Sequence, residues 1–331
     1  MEIIAFCVIL LTNVVNYISA QNNQYVCVPT GTCPGAPTTQ PTAPTTPVGI
    51  DPRIVTPGQL CPAGQEACYT IQCGSRYVNV SNNNGIAPQG ANPWLVYITN
   101  QTGYTGVGVL LDSTHVLTAA HKVNLNVGTP SNVKLSFGVY NPSSMTNVQT
   151  ISASAITLNP GFNPTTLFND IAVVTLASPV RVGPTTGVNV ACLPTSSQSF
   201  VGRSCMVAGW GQTAFGANDA PTTPEKQVTI PIVDYNTCRT SMAQASLLGS
   251  FVDRYLDPAG EICAGGTAQL DACTQDGGSP LMCLDSTTNR YVVAGLVIWG
   301  KKCGMQGVYG VYVSVPYYRS WIDSVVINQS G

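Results

Sequence analysis

Charge is what this chain has least of. Lys, Arg, Asp and Glu make up 8% of its 331 residues, against roughly 25% in an ordinary soluble protein. The net charge of −2 leaves no basic stripe, which excludes nucleic acid as a partner. Long-range steering is weak, so partners are found through shaped polar and apolar surface. Histidine is scarcer still: His115 and His121 are the only two. With so few imidazoles, and cysteine pairs set far apart, no structural metal site is expected. No cofactor is expected either. Beyond the first residues no apolar run reaches membrane-spanning length, so no membrane partner is expected. No repeat occurs at solenoid spacing.

What the chain does have begins at its N-terminus. Residues 3–12 are an apolar stretch too short to span a bilayer, and Ile18-Ser19-Ala20 offers a small-residue cleavage site. Residues 1–20 therefore read as a secretory signal, although Glu2 and the absence of Lys or Arg make its leading segment weak. Thirteen cysteines point the same way, to an oxidising, extracellular compartment. Cys7 leaves with the signal, and the remaining twelve can form six disulfides. Asn79, Asn100 and Asn328 each open an Asn-x-Ser/Thr tripeptide and are candidate glycosylation sites.

Composition divides the rest. Residues 21–73 form a Cys-bearing module punctuated by Cys27, Cys33, Cys61, Cys68 and Cys73. A Pro/Thr-rich linker spans 34–47, extended and unable to pack. Arg53 lies in the same Pro-flanked stretch, where proteolytic nicking concentrates. Residues 74–85 read as a polar connector and 86–331 as the main domain. There, short runs of β-branched and aromatic residues alternate with Gly, Pro and Asn turns. Trp94–Thr99, Val107–Leu111, Val133–Tyr140, Ile171–Leu176, Cys205–Ala208, Lys226–Val233, Tyr291–Trp299 and Val308–Val313 read as strands of an all-β fold, a barrel or sandwich. Tyr318, Trp321, Ile322, Val325 and Val326 share one face of a terminal helix.

Five stretches stand out. Val116-Leu117-Thr118-Ala119-Ala120-His121 and Asn169-Asp170-Ile171-Ala172-Val173 supply an imidazole and a carboxylate. Val207-Ala208-Gly209-Trp210-Gly211 and Gly310-Val311-Tyr312-Val313-Ser314-Val315 are framework. Asp271-Ala272-Cys273-Thr274-Gln275-Asp276-Gly277-Gly278-Ser279-Pro280-Leu281 completes the set. Together they resemble the motifs of trypsin-like serine proteases, in that family's order, over residues 86–331. The resemblance implies a double β-barrel with a C-terminal helix, and a triad of His121, Asp170 and a serine. The family's last motif reads Asp-Ser/Ala-Cys-x-Gly-Asp-Ser-Gly-Gly-Pro-Leu, and Gly277 stands at its serine. A glycine has no oxygen with which to attack a carbonyl. The triad His121, Asp170, Gly277 is thus degenerate, and His121 and Asp170 are expected to persist as a buried hydrogen-bonded pair. Ser279 lies two residues too far along to replace the nucleophile.

The same resemblance implies more. Gln275 replaces a glycine of the oxyanion loop, and its Cβ is expected to disfavour the backbone angles needed there. Asp276 matches the acid that pairs with a new N-terminus after activation cleavage. No Arg or Lys precedes Ile86, so that cut is not expected, and a buried Asp276 needs another partner. Asp271, with Gly300 and Gly310 as open walls, matches the base of a specificity pocket for Lys or Arg; it is read as a relic of that pocket, and Ile298 alters the wall. The implied disulfides are Cys205–Cys283, Cys238–Cys263, Cys273–Cys303 and Cys73–Cys192. That leaves Cys27, Cys33, Cys61 and Cys68, with three connectivities open. The histidine-loop disulfide is absent at both ends, where Lys122 and Gly108 stand. His115 is expected at the surface, in the turn before the histidine motif.

The N-terminal module resembles the clip-like segments of arthropod serine protease homologues: Cys27 to Cys33, Ile50 to Thr56, Cys61 to Gly64 and Cys73-Gly74 match, while Tyr69 departs. The implied function is a secreted, non-catalytic cofactor or regulator of a protease cascade, with prophenoloxidase or its activating protease as protein partners in melanisation. Venom homologues of parasitoid wasps, which block the same cascade, share the resemblance, and a microbial-surface recognition module is a further alternative. The oligomeric state is not legible in the sequence.

Overall fold

The computed structural model describes residues 18–20, 23–29, 65–69, 72–80, 84–212, 214, 217, 220–244 and 246–329. The first three segments and residues 328–329 are described as backbone only. The signal segment up to residue 17, the linker 34–47, Arg53, Cys33 and Cys61 lie outside the described residues, as do the side chains of Cys27 and Cys68.

The chain divides into units Met1–Thr70 and Ile71–Gly331. In the first, β1 (Ile18–Ala20), β2 (Asn23–Pro29) and β3 (Gln65–Tyr69) form a three-stranded antiparallel sheet with β2 at its centre. In the second unit, β4 (Gly85–Ile86) is a short edge strand. It precedes β5 (Leu95–Asn100), β6 (Gly103–Leu110), β7 (His115–Thr118), β8 (Lys134–Phe137), β9 (Gln149–Leu158) and β10 (Ala172–Leu176). These last six close into a barrel in the order β10-β7-β6-β5-β8-β9.

A second ring follows: β11 (Ser204–Gly209), β12 (Lys226–Val233), β13 (Glu261–Gly265), β14 (Pro280–Asp285), β15 (Arg290–Gly300) and β16 (Tyr309–Ser314). Its order is β11-β14-β15-β16-β13-β12, the β11–β12 pairing closes it, and β4 hangs on β12. Helices α1 (Tyr235–Met242), α2 (Val252–Tyr255) and α3 (Val315–Gln329) complete the unit. This is the double barrel with a C-terminal helix that the sequence implied.

Strand alternation explains how two barrels share one core. Along β5, Val96 and Ile98 turn into the first barrel with Leu110, Val116, Leu135 and Phe137. Leu95 and Tyr97 turn the other way and join Trp210, Met282, Val293 and Leu296 of the second barrel. The period of two on a strand buried on both faces allows this double use. Tyr97 meets the edge of Trp210 at 5.2 Å between ring centroids, and Trp210 Nε1 donates to the Tyr140 carbonyl.

The C-terminal helix closes this seam. Tyr318, Ile322 and Val325 are buried, and Trp321 and Val326 pack beside them. Tyr318 Oη donates to Asn169 Oδ1 at 2.9 Å, which ties α3 to the turn presenting Asp170. Four disulfides brace the unit: Cys73–Cys192, Cys205–Cys283, Cys238–Cys263 and Cys273–Cys303. Asp234 caps α1 through the Thr237 amide.

His115 departs from expectation. It opens β7 opposite Thr175 of β10 and is fully buried. Its Nδ1 lies 2.9 Å from Asp112 Oδ2, so a local carboxylate offsets the cost of burying the ring. The surface reading fails because β7 starts one residue earlier than the apolar run suggests.

Glu225 is buried where residues 76 and 92 meet the second barrel. Asn92 Nδ2 donates to it at 2.7 Å. Burial pushes its carboxyl up to about 8, against the pull of Asn92 and Arg76. A carboxyl raised on folding contributes stability that is full below its unfolded value and is lost as pH rises through its folded value. Glu225→Gln should therefore raise the thermal midpoint relative to the parent at pH 9 and not at pH 4. Equal midpoint differences at the two pH values would contradict this assignment.

Candidate functional site

Three elements converge on the cleft between the barrels. β7 runs into a tight turn at Ala120–Lys122, which carries His121 and Lys122. The turn before β10 carries Asp170, and the loop before β14 carries residues 271–279. Asp170 is completely buried. Its Oδ1 accepts the His121 amide at 2.7 Å and its Oδ2 lies 2.6 Å from His121 Nδ1. Nδ1 is therefore turned to the carboxylate and Nε2 to the cleft.

Gly277 lies opposite that nitrogen. A Cβ built on it would sit 2.9 Å from His121 Nε2, closer than a carbon can pack, so a side chain at 277 would press on the imidazole. The space is already filled by Lys122: the same Cβ would lie 2.1 Å from Lys122 Cε and 3.0 Å from Lys122 Nζ. Gly106 of β6 opens the other side, for a Cβ there would meet Lys122 Cδ at 3.0 Å and the Gly277 carbonyl at 2.6 Å. Two glycines thus form the slot through which Lys122 runs. Burial lowers its ammonium's pKa, while the carboxylates of Asp276 and Asp170 raise it. Sequence reading saw Lys122 only as an absent cysteine; no local signal reveals its role, because residues 106, 122 and 277 meet only in the fold.

Gln275 corrects an expectation. It holds φ +72° despite its Cβ, in the left-handed region that favours glycine. Tyr104, stacked on Tyr97 at 4.7 Å, donates its hydroxyl to the Gln275 carbonyl at 3.1 Å. The neighbouring fold over-determines the turn and holds the strained residue in place.

Asp276 is enclosed. Its Oδ1 accepts the Gly211 amide at 2.8 Å and its Oδ2 the Cys273 amide at 2.9 Å. Burial pushes its carboxyl up to about 6, opposed by these amides and by the charges of Lys122 and Lys226. A Cβ on Gly211 would fall within 2.5 Å of the carboxylate, so glycine is required there. Ile86 is exposed and lines a separate cavity with Lys226 and Asp276. Ser279 is fully buried beside Gly209 with an unpartnered hydroxyl.

Asp271 sits lower in the cleft. Its Oδ2 accepts the Gly304 amide at 3.1 Å, while Oδ1 is buried without a partner. Burial pushes its carboxyl up to about 6. Gly310 leaves Oδ1 open: a Cβ there would stand 3.2 Å from it. Gly300 of β15 is the register partner of Gly310 on β16. The resulting cleft of about 240 Å³ is lined by His121, Lys122, Asp271 and Tyr312 among others. Asn79 is exposed, and the Asn100 side-chain Oδ1 accepts from the Thr102 hydroxyl. The Asn328 side chain is outside the described residues. Among the described residues no group of three His, Cys, Asp or Glu side chains could hold a metal, and no helix there is long and apolar enough to cross a membrane.

The slot makes a prediction. Gly277→Ser alone should give no fluorophosphonate labelling and should lower stability by about 1–3 kcal/mol, as overpacking does. Adding Lys122→Ala should recover most of that loss, a coupling readable in a double-mutant cycle. Stoichiometric labelling of the single variant would show that Lys122 does not fill the site.

The trypsin family pattern matches residues 83–322. Inactive CLIP domain-containing serine protease A3 of Aedes aegypti is 35% identical, over 95% of this chain and 69% of the relative. Phenoloxidase-activating factor 2 of Galleria mellonella is 32% identical, over 78% of this chain and 89% of the relative. Inactive CLIP domain-containing serine protease A28 of Anopheles gambiae is 31% identical, over 93% and 79%.

Proposed function

The chain belongs to the trypsin family and, within it, to the clip-domain serine protease homologues; from that premise we propose that it is a secreted, non-catalytic cofactor of a protease cascade, acting in prophenoloxidase activation. One observation carries the reading. His121 and Asp170 keep the geometry of a general base, but the atom they would activate is missing and its space holds a lysine side chain. A base without a nucleophile leaves little catalysis. What the fold retains is a shaped cleft and a sparsely charged surface, the equipment of a docking protein.

Relatives named inactive, and one named as a phenoloxidase-activating factor, support the assignment. In this reading residues 21–73 are a clip-like regulatory module joined by the connector 74–85 to the domain at 86–331. A trypsin-like protease cuts after Arg53 and so switches the protein's binding state. The partners are prophenoloxidase and its activating protease.

The test mixes the purified, Arg53-cleaved protein with prophenoloxidase and its activating protease and follows phenoloxidase activity. A rise that the uncleaved protein does not give is expected. No change would overturn the cofactor reading, and a fall would replace it with an antagonist.

A further inference from the structure

The space opposite His121 holds an amine. Lys122 Nζ and His121 Nε2 stand 3.0 Å and 2.9 Å from one point, the Cβ position of Gly277. Amine and imidazole therefore flank the same small volume, and both residues line the cleft. The slot also fixes the stem of Lys122: a Cβ at Gly106 would meet its Cδ at 3.0 Å and its Cε at 3.1 Å. The residue is half-buried, so its amine is confined and still borders the cleft. Among the described residues that amine has no hydrogen bond and no ion pair. A positioned, unpartnered lysine beside an oriented imidazole is more than packing requires. A methionine would fill the slot without the cost of taking a charge out of water.

Only the unprotonated amine is a nucleophile. Proteins that use one take a lysine out of water and place a base within reach, and carbonyl compounds are then captured as imines. Both conditions meet here. Burial lowers the pKa of the Lys122 ammonium, against the pull of Asp276 and Asp170, so the free amine is more abundant than on an exposed lysine. His121, oriented by Asp170, offers Nε2 on the same side as a carrier of protons. Val297, Ile298 and Trp299 line the cavity as well, and such an apolar wall favours an uncharged guest. We propose that Lys122 is a carbonyl-capturing amine that forms an imine, one per chain, with a small uncharged aldehyde entering the cleft. The ammonium gives a proton to His121 Nε2. The free amine adds to the aldehyde carbon, the carbonyl electron pair moves to oxygen, and a proton passes from nitrogen to that oxygen. The proton held on His121 then goes to the hydroxyl, which leaves as water while the C=N bond forms. Ammonium and aldehyde thus give protonated imine and water, with no change of oxidation state. Water is the leaving group, so neither a serine nor an oxyanion hole is needed.

This inference rests on the setting of Lys122 and not on the cofactor reading. The test accordingly contains no cascade component, and either can fail alone. The purified full chain is treated briefly with propanal and sodium cyanoborohydride, which reduces an imine to a stable propylamine. Peptide mass spectrometry then gives the rate of propylation at each of the five lysines. At pH 7 Lys122 is expected to react roughly tenfold faster than Lys301 and Lys302, which are exposed. At pH 9.5 that advantage should shrink, because exposed amines lose their protons there too. His121→Gln should slow Lys122 by about tenfold and leave Lys301 and Lys302 unaffected, a response that a merely desolvated lysine does not give. A Lys122 rate at pH 7 equal to or below that of the exposed lysines overturns the proposal on the unaltered protein alone. An unchanged Lys122 rate in His121→Gln overturns the part given to the imidazole.

Discussion

The half-buried carboxylate of Asp276 holds the cleft together. It accepts the Gly211 amide with one oxygen and the Cys273 amide with the other, and so fastens the loop 271–279 to the end of β11. Tyr104 fixes the same loop through the Gln275 carbonyl. A buried acid is costly unless compensated; here two amides and the fields of Lys122 and Lys226 share the compensation. That arrangement shapes the loop with Ile86 left exposed. The walls around Asp271, Gly300 and Gly310 follow from it.

Lys122 completes the account. A lysine at this position, a glycine at 277 and a glycine at 106 are one packing solution: the side chain needs the room that both glycines leave. The glycine at 277 and the threaded Lys122 side chain are thus two sides of a single packing arrangement. Placing a side chain at residue 277 means displacing Lys122.

Much of this was legible in the sequence, and the rest failed for physical reasons. Strands rich in β-branched residues, such as β12 and β15, stand out within a residue or two of their ends. β9 does not, because Gln149–Leu158 mixes Ser, Thr and Ala on a half-exposed ribbon. β14 begins at a proline and β13 at a buried glutamate, neither a strand signal. The motifs around His121, Asp170 and Gly277 located the site. The backbone at Gln275 was misjudged, because local preference for glycine at φ > 0 yielded to clamping by Tyr104. His115 was misjudged, because β7 takes it in one residue ahead of the apolar run. Lys122 could not be read at all, since its environment comes from three distant segments.

The most direct test of the central claim, that the Lys122 ammonium occupies the nucleophile's space inside the cleft, is its own titration. The chain has five lysines, few enough for each to be followed by NMR after ¹³C-methylation. Burial in the slot predicts that Lys122 loses its proton at lower pH than exposed Lys301 and Lys302, and that Gly277→Ser shifts its resonance. A Lys122 signal that titrates together with the exposed lysines and is indifferent to residue 277 would place the side chain in solvent and contradict the account.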